Sequence, residues 1–218
     1  MQRLFDLVIS ISALIILSPL LIPVCFLLKL TGEGEIFYTQ ERIGIYGNKF
    51  KLLKFATMLK NSPNIGSGEL TLINDPRVLP VGKFLRKSKI NELPQLWNIV
   101  IGDMSIVGPR PMVPNTYSKY SKEAQNKLDT IRPGLTGVGS IIFRDEEKFL
   151  EGKTNPLEFY KNEIIPFKSE LEIWYVDNNT FMNYFKCIFI TAWVILFPKS
   201  TIYNHLFRDL PTKPENLN

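Results

Sequence analysis

The chain has 218 residues, of which 26 are basic and 21 acidic, so its formal net charge at pH 7 is +5. About 45% of the residues are hydrophobic and 22% are charged, which excludes a wholly disordered chain and suits one domain of ordinary size. Two cysteines far apart in sequence, Cys25 and Cys187, exclude a disulfide framework, and the single histidine, His205, excludes histidine-based zinc sites. Any metal is therefore expected to be a hard cation bound by oxygen, such as Mg²⁺.

The N-terminal region contains a long uncharged segment, Leu7 to Leu28. As a helix it would be about 33 Å long, enough to cross a bilayer. It is longer than the apolar region of a cleaved signal peptide, and Pro23-Val24-Cys25 offers no small-residue cleavage site. Two topologies remain: a kinked spanning helix, and a re-entrant helix that breaks at Ser18-Pro19 and returns to the same face. Basic residues follow the segment and Arg3 precedes it, which favours cytoplasmic flanks and the re-entrant form.

The next elements are short. Residues 30–57 are predicted to form strands around a turn between Gly44 and Gly47, and residues 60–69 a loop. A cationic amphipathic helix is predicted within 77–89, either on an anionic membrane surface or packed on the core. Another helix is predicted to begin at Asn91 as its N-cap, with Pro94 in its first turn, and to end at Gly102.

The C-terminal half is predicted to be mainly helical. Residues 117–131 form a polar helical stretch, and residues 159–173 a helix interrupted near Pro166. Residues 181–197 form an aromatic amphipathic helix whose apolar part is too short to span a bilayer, so it would rest at the interface. The end from Pro211 is expected to be disordered.

Three ordered segments carry a family resemblance: KINELPQLWN at 89–98, GDMSIVGPRP at 102–111 and RPGLTG at 132–137. Further matches are Arg3–Leu7, Ser18-Pro19, Asn74–Arg77 and Trp174–Asp177. No single tripeptide is specific, but in this order and spacing the set resembles the bacterial sugar transferase family, the monotopic phosphoglycosyl transferases. The resemblance covers roughly residues 2–197.

The resemblance implies an enzyme that moves a sugar 1-phosphate from a UDP-sugar to a polyprenyl phosphate and releases UMP, the first membrane step of capsule, O-antigen or other glycoconjugate assembly. It implies a mixed α/β, mainly helical fold at the cytoplasmic face of the inner membrane, with interfacial helices around a small catalytic core. The expected organisation is a re-entrant helix at 1–30, a catalytic domain at 31–200 and a polar tail at 201–218. Magnesium is the implied cofactor, and the inner membrane lipids are implied partners.

Relatives in this family use an adjacent Asp-Glu pair, in which the aspartate attacks the diphosphate and the glutamate helps to bind the metal. Here the matching residues are Asn91 and Glu92. A carboxamide is a very poor nucleophile, so the two-step mechanism is not carried over unchanged. Either another carboxylate, Glu92 or Asp145, replaces the aspartate, or the polyprenyl phosphate attacks directly. Other departures are Ala56, where relatives commonly have arginine, and the sequences at 137–140 and 144–147.

The candidate site residues follow from this match. Glu92 and Asn91 are the candidate catalytic residues, and Glu92 the candidate metal ligand. The candidate substrate-binding residues are Arg110, Pro111, Arg132, Lys54 and Arg42. Arg110 lies between two prolines that restrict its backbone, and arginine binds phosphate oxygens through two nitrogens. Each candidate also has a structural interpretation: Asn91 as a helix cap, Glu92 in a favourable helix dipole, and the basic side chains as solvated surface.

A second interpretation is a non-catalytic relative that binds nucleotide sugar or lipid carrier as a scaffold, and Asn91 is the feature that favours it. Nucleic-acid binding is not expected, because the basic residues are interleaved with apolar segments and no recognised nucleic-acid motif is present. The sequence leaves open whether the protein is a homo-oligomer and which sugar it uses.

Overall fold

The computed structural model describes residues 1–65, 71 and 74–217. These residues form a mainly helical fold with two small two-stranded sheets, which confirms the predicted mixed, mainly helical architecture. The helices are α1 (Gln2–Leu30), α2 (Pro80–Lys87), α3 (Gln95–Ile101), α4 (Pro114–Tyr117), α5 (Lys122–Leu128), α6 (Val138–Ile142), α7 (Glu146–Leu150), α8 (Pro156–Phe159), α9 (Ile165–Asp177), α10 (Phe181–Leu196) and α11 (Tyr203–Leu206). The strands are β1 (Phe37–Ile43), β2 (Lys49–Phe55), β3 (Ser105–Val107) and β4 (Gly134–Thr136). The loop predicted over 60–69 lies partly outside the described residues.

The uncharged N-terminal segment forms one continuous helix of 29 residues, α1. Among the described residues, it is the helix whose length and composition would allow it to cross a membrane. Pro19 lies inside it and has no amide hydrogen for the Ile15 carbonyl, four residues earlier. The Ser18 hydroxyl donates a hydrogen bond to this carbonyl at 2.7 Å, so the helix continues through Ser18-Pro19, where the sequence predicted a break in the re-entrant form.

The N-terminal end of α1 is fixed to the folded body by polar side chains. The Arg3 guanidinium donates to the carbonyls of Ile99 (2.6 Å) and Val100 (3.0 Å), near the end of α3. Asp6 is 3% exposed. One of its carboxylate oxygens accepts three hydrogen bonds, from the Ser105 hydroxyl, the Ile106 amide and the Tyr184 hydroxyl.

The C-terminal end of α1 packs on the same body through apolar side chains. Val24 and Leu28 are buried against Phe55 of β2 and Leu85 of α2. Both ends of the helix therefore contact the folded body. Between them some apolar side chains, such as Leu14 and Leu17, also pack against the main core, whereas others are exposed.

The predicted hairpin is confirmed. Strands β1 and β2 pair antiparallel with Tyr38 opposite Lys54. The Asn98 side chain of α3 joins the edge of β2, where it accepts from the Leu53 amide at 2.9 Å and donates to the Lys51 carbonyl at 2.8 Å. Asn98 thus satisfies two backbone groups on the edge of β2 that faces α3 and holds the strand beside the helix.

The main core lies around the parallel pair β3 and β4, in which Ser105 is opposite Gly134. Helix α10 packs against both strands, and α1 and α3 contact β3. Helix α6 packs between α9 and α10. Cys187 is buried in this core and Cys25 is half-buried in α1; both are free thiols, in agreement with the absence of a disulfide framework.

In the C-terminal half, the predicted helix interruption is present and the predicted disordered tail is not. The interruption near Pro166 is confirmed: a π-helical turn at Tyr160–Ile164 precedes α9, and Pro166 lies in the first turn of α9. The prediction of a disordered tail is wrong for 211–217, because Leu217 is 2% exposed and packs in the main core. Asn218 lies outside the described residues.

The cationic helix predicted within 77–89 is confirmed as α2, which packs on the core through Leu85 and leaves Phe84 66% exposed. Arg77 precedes this helix and is not a surface charge. Its guanidinium forms a buried ion pair with Asp75 at 2.6 Å.

Candidate active site

The site is built on the short turn that connects α2 to α3. Lys89 adopts a left-handed conformation, with φ 60°, and a 3₁₀ turn follows at Ile90–Glu92. The Glu92 amide donates to the Lys89 carbonyl, and the next helix, α3, begins only at Gln95. The prediction that Asn91 caps this helix is therefore wrong: Asn91 lies inside the 3₁₀ turn, and Pro94 occupies the N-cap position of α3. Gly102 ends α3 as predicted, with φ 102°.

Glu92 lies between two cations from different elements. Its Oε1 is 3.6 Å from Nζ of Lys54 on β2 and 3.5 Å from Nη2 of Arg110, which follows β3. The side chain of Glu92 is 18% exposed. Burial alone would raise the pKa of Glu92, but the positive charges of Lys54, Arg110 and Lys89 outweigh it and lower the pKa to about 2. Glu92 is therefore ionised at any physiological pH.

Lys54 has an unusual pKa for a lysine. Its side chain is 17% exposed. Burial lowers its pKa to about 7, the nearby Arg110 and Arg42 charges act in the same direction, and Glu92 opposes them. Lys54 is consequently near half-protonation at neutral pH, and an added negative group in the site would favour its charged form.

Arg110 is held by the backbone that surrounds it. The carbonyl of Pro109 accepts from the Gly134 amide at 2.8 Å, and the carbonyl of Pro111 accepts from the Arg42 guanidinium at 2.8 Å. The ring of Pro111 further restricts the backbone conformation of Arg110, the residue that precedes it. Arg42 contacts the segment that carries Arg110 and does not pair with Glu92.

Asn91 is the residue that matches the nucleophilic aspartate of relatives. It is 5% exposed, and its Oδ1 has no hydrogen-bond partner among the described residues. A buried amide oxygen without a partner is uncommon, because it loses the hydrogen bonds it made with water.

Arg132 lies apart from this group. Its Nε donates to the Gly102 carbonyl at 2.8 Å, at the end of α3 where Arg3 also binds. Within the described part of the chain, the structure brings together Glu92, Lys54 and Arg110, with Asn91 beside Glu92 in sequence and Arg42 behind Arg110. It does not bring Arg132 to Glu92.

A second charged group borders Arg110. Lys168 of α9 is 8% exposed at its side chain and forms a 2.6 Å ion pair with Glu146, the first residue of α7. Tyr160, in the π-helical turn, and Glu146 both lie within electrostatic range of Arg110. Asp145, the other acidic candidate, pairs with Lys148 at 2.7 Å, and its side chain is 41% exposed.

Glu172 is the functional candidate that sequence reasoning missed. It lies on α9, is 2% exposed, and its Oε1 accepts a hydrogen bond from the Arg110 amide at 3.2 Å. Burial raises the pKa of Glu172 to about 7, although the Arg110 amide and the Lys168 charge lower it. A signal was present in the sequence: Lys168 and Glu172 are four residues apart and share a helix face with the apolar Ile165 and Leu171, where charged residues are rare.

The site offers few protein donors to a magnesium ion. Among the described residues, no three Asp, Glu, His or Cys side chains form a group that would hold a metal ion by themselves. Glu92 supplies one carboxylate. Mg²⁺ commonly takes one or two protein carboxylates and completes its shell with water and substrate phosphates. The residues present therefore fit an ion that arrives with a diphosphate and not a metal held by the protein alone.

Comparison with known proteins identifies the family. Residues 1–198 match the family model described as bacterial sugar transferase. The chain belongs to the bacterial sugar transferase family. This confirms the resemblance drawn from the three ordered motifs, and it makes the chain a transferase by family.

Among bacterial sugar transferases, the chain is 43% identical to the exopolysaccharide production protein ExoY of Sinorhizobium fredii, over 68% of this chain and 71% of that protein. It is 34% identical to the undecaprenyl-phosphate galactose phosphotransferase of Salmonella typhimurium, over 90% of this chain but only 40% of that protein. It is 33% identical to the uncharacterized sugar transferase EpsL of Bacillus subtilis, over 90% of this chain and 87% of that protein.

Proposed function

We propose that this chain transfers a sugar 1-phosphate from a UDP-sugar to undecaprenyl phosphate, as the first membrane step in the assembly of an exopolysaccharide or another glycoconjugate. The observation that carries the proposal is the convergence of Lys54 and Arg110 on the largely buried carboxylate of Glu92. Two cations that face one another across a single carboxylate suit a diphosphate, whose oxygens can replace that carboxylate as their partner. Relatives named as undecaprenyl-phosphate galactose phosphotransferase and as UDP-glucose:undecaprenyl-phosphate glucose-1-phosphate transferase support the donor and the acceptor.

The acceptor is an oily molecule, and the outer surface of the protein is suited to a membrane. Along α1, apolar side chains such as Ile15, Ile16 and Phe26 are 66 to 74% exposed. Trp97 of α3 and Phe189 of α10 are about half exposed. Exposed apolar surface of this extent marks a membrane or protein contact, and the length of α1 favours lipid.

The contacts of α1 also support a monotopic, re-entrant arrangement at the cytoplasmic face. Arg3 and Asp6 bind the body near one end of the helix, and Leu28 packs on it at the other. A helix that crossed the bilayer would carry one of these ends to the far side, away from the folded body.

Cysteine labelling tests this topology. In a chain with Cys25 and Cys187 replaced by serine, cysteines introduced at Gln2 and Leu30 should react with an impermeant maleimide only from the cytoplasmic side. Labelling of the two residues from opposite sides would contradict the re-entrant arrangement.

The charged residues have distinct proposed roles. Arg110 and Lys54 bind the diphosphate oxygens, and Arg42 keeps the Arg110 segment in place through the Pro111 carbonyl. Glu92 is the proposed ligand of a magnesium ion, which when bound supplies positive charge to the diphosphate. Arg132 is assigned no contact with the reacting phosphates, because it lies apart from Glu92; its proposed role is to hold the end of α3 through the Gly102 carbonyl, beside the N-terminal end of the membrane helix.

The nucleophile is the point at which this chain departs from its relatives. The amide of Asn91 is a very poor nucleophile. Glu92 is engaged with two cations and has a pKa of about 2, and Asp145 is paired with Lys148 on a largely solvated loop. We therefore favour direct attack: an oxygen of undecaprenyl phosphate bonds to the sugar-bearing phosphorus, the bond to the bridging oxygen breaks, and UMP leaves with that oxygen.

Lipid-dependent UMP release is the direct test of the proposed transfer. The purified membrane protein is incubated with Mg²⁺, undecaprenyl phosphate and a panel of UDP-sugars. UMP that forms only when the lipid is present supports the transferase, whereas its absence with every donor rejects it for the donors tested.

A trapping experiment then separates one step from two. Protein incubated with a UDP-sugar labelled in the sugar-bearing phosphate is denatured and washed. Label that stays on the protein contradicts direct attack, and its loss in Glu92→Gln or Asp145→Asn would identify the replacement nucleophile.

A scaffold that binds donor or lipid without turnover is the second candidate function, and Asn91 is the observation that favours it. A pure scaffold would bind UDP-sugar but release no UMP. Under the scaffold hypothesis Asn91→Asp is not sufficient to create activity, because the rest of the site would no longer be under selection for catalysis.

A further inference from the structure

The segment Pro109-Arg110-Pro111 offers a single backbone donor, because proline has no amide hydrogen. That donor is the Arg110 amide, and it is directed at Oε1 of Glu172 at 3.2 Å. The carbonyls on either side are bound to Gly134 and to Arg42. The backbone of Arg110 is thus fixed by one acceptor on α9 and by two donors from β4 and β1.

The surroundings of Glu172 are shaped for this contact. Glu172 is 2% exposed, and its Oε2 has no hydrogen-bond partner among the described residues. Gly139 of α6 lies against it: a Cβ at this glycine would be 2.3 Å from Oε1 of Glu172. A carboxyl group buried in this way, with one oxygen unpartnered, costs stability, so packing alone does not account for its presence.

We infer that Glu172 is a positioning residue for the transfer reaction: it sets the backbone of Arg110 so that the guanidinium reaches the diphosphate beside Glu92. The inference rests on the proposed function for its kinetic consequence, but the contact itself can be measured without turnover. Glu172 acts through Arg110 and does not touch the substrate.

Burial raises the pKa of Glu172 to about 7. Glu172 therefore acts on the Arg110 amide as a hydrogen-bond acceptor through its carbonyl oxygen, and a negative charge on Glu172 is not required. A neutral glutamic acid and a glutamine present the same carbonyl to the Arg110 amide. Glu172→Gln should therefore preserve the contact, and Glu172→Leu should leave the amide without an acceptor. Glu170→Leu, at an exposed residue on the same helix, is the matched control.

Hydrogen–deuterium exchange read at the Arg110 amide tests the contact directly, whether or not the protein turns over. Exchange should quicken at least about tenfold in Glu172→Leu, since the native acceptor is lost, and stay within threefold of the native rate in Glu172→Gln. Gly139→Ala gives a second route to the same result, because its Cβ displaces Oε1 without removing the carboxyl. It keeps the test decisive if Glu172→Leu does not fold.

Steady-state kinetics separate a positioning role of Glu172 from a purely structural one, because only the positioning role changes KM. A smaller fraction of folded enzyme lowers the apparent kcat and leaves KM unchanged, whereas a misplaced Arg110 raises KM for the UDP-sugar and lowers kcat. We expect kcat/KM to fall about 10- to 100-fold in Glu172→Leu and Gly139→Ala, with partial retention in Glu172→Gln.

Two results would overturn the inference: unchanged exchange at Arg110 in both disruptive variants, or a loss of protection in Glu172→Gln as large as in Glu172→Leu. If the native protein releases no UMP with any donor, the proposed function fails. The exchange data alone then decide whether Glu172 positions Arg110.

Discussion

Glu92→Gln perturbs the site at its centre, because it removes one negative charge and keeps the shape of the side chain. In the native protein Oε1 of Glu92 lies 3.6 Å from Lys54 and 3.5 Å from Arg110. These cations contribute to lowering its pKa from 4.5 to about 2, which corresponds to about 3 kcal/mol in favour of the ionised form. The variant loses this interaction and the proposed magnesium ligand together.

The folded state should nevertheless survive this substitution. Loss of one partner from a buried ion pair is usually costly, since the other charge remains. Here Lys54 already has a pKa of about 7, and without Glu92 it falls further, so Lys54 becomes neutral at pH 7.5 at little cost. Arg110 is 37% exposed and can turn to water. We expect the free energy of unfolding to change by about 1 kcal/mol.

The pH dependence of stability gives an independent check on this reasoning. A lowered folded pKa means that the native Glu92 contributes stability above pH 4.5 and that this contribution is lost as the pH falls through about 2. The stabilities of the native protein and Glu92→Gln should therefore converge toward pH 2.

The assay for Glu92→Gln is lipid-dependent UMP release at saturating donor, with Glu170→Gln on the exposed face of α9 as the control. We expect a loss of at least about 100-fold in Glu92→Gln, because electrostatic stabilisation of the transferred phosphoryl group is lost, and native activity in the control. Turnover within threefold of native in a folded Glu92→Gln would refute the metal and electrostatic roles assigned to Glu92.

Three further predictions concern Asn91, Lys54 and Glu172. Asn91→Asp should raise turnover at least about tenfold, because it restores a carboxylate nucleophile. It should also yield a labelled sugar-phosphate adduct on the protein that survives denaturation. A folded Asn91→Asp variant without this adduct would contradict the prediction. The kcat/KM of the native protein should fall as the pH rises through about 7, because Lys54 loses its proton there in the free enzyme. Lys54→Arg should remove this decline. An identical pH profile in Lys54→Arg would argue against Lys54 as the titrating group. Glu172 has a folded pKa of about 7, above its ordinary 4.5, so its stabilising contribution is complete below pH 4.5 and is lost as the pH rises through 7. Glu172→Gln should therefore raise the apparent Tm by about 5 °C at pH 8 and much less at pH 4, and a lowered Tm at pH 8 would show that the ionised carboxylate is stabilising.

Several elements could be predicted from the sequence because their causes are local. The hairpin follows from β-favouring residues around Gly44 and Gly47, and the end of α3 from Gly102, which takes φ 102°. The break before α9 follows from Pro166. In each case the residue that sets the local backbone conformation lies at the turn, the helix end or the interruption itself.

The site itself depended on contacts between distant residues. Asn91 has the composition of a helix cap, but the left-handed Lys89 places it inside a 3₁₀ turn. The disordered tail was a misreading of its polar composition, because the burial of Leu217 depends on a core formed by other elements. The contact between Glu172 and Arg110 joins residues 62 apart, and no local pattern specifies such a pairing.

The central claim is that a water-soluble donor and a lipid acceptor react beside Glu92. Its most direct test is transfer of phosphorus label from UDP-galactose, UDP-glucose and other UDP-sugars, labelled in the sugar-bearing phosphate, into an organic extract. We expect lipid-soluble label with at least one donor, only when undecaprenyl phosphate and the native protein are both present, and none with Glu92→Gln. Label that reaches the lipid equally well with Glu92→Gln, or that never leaves the aqueous phase with any donor, would contradict it.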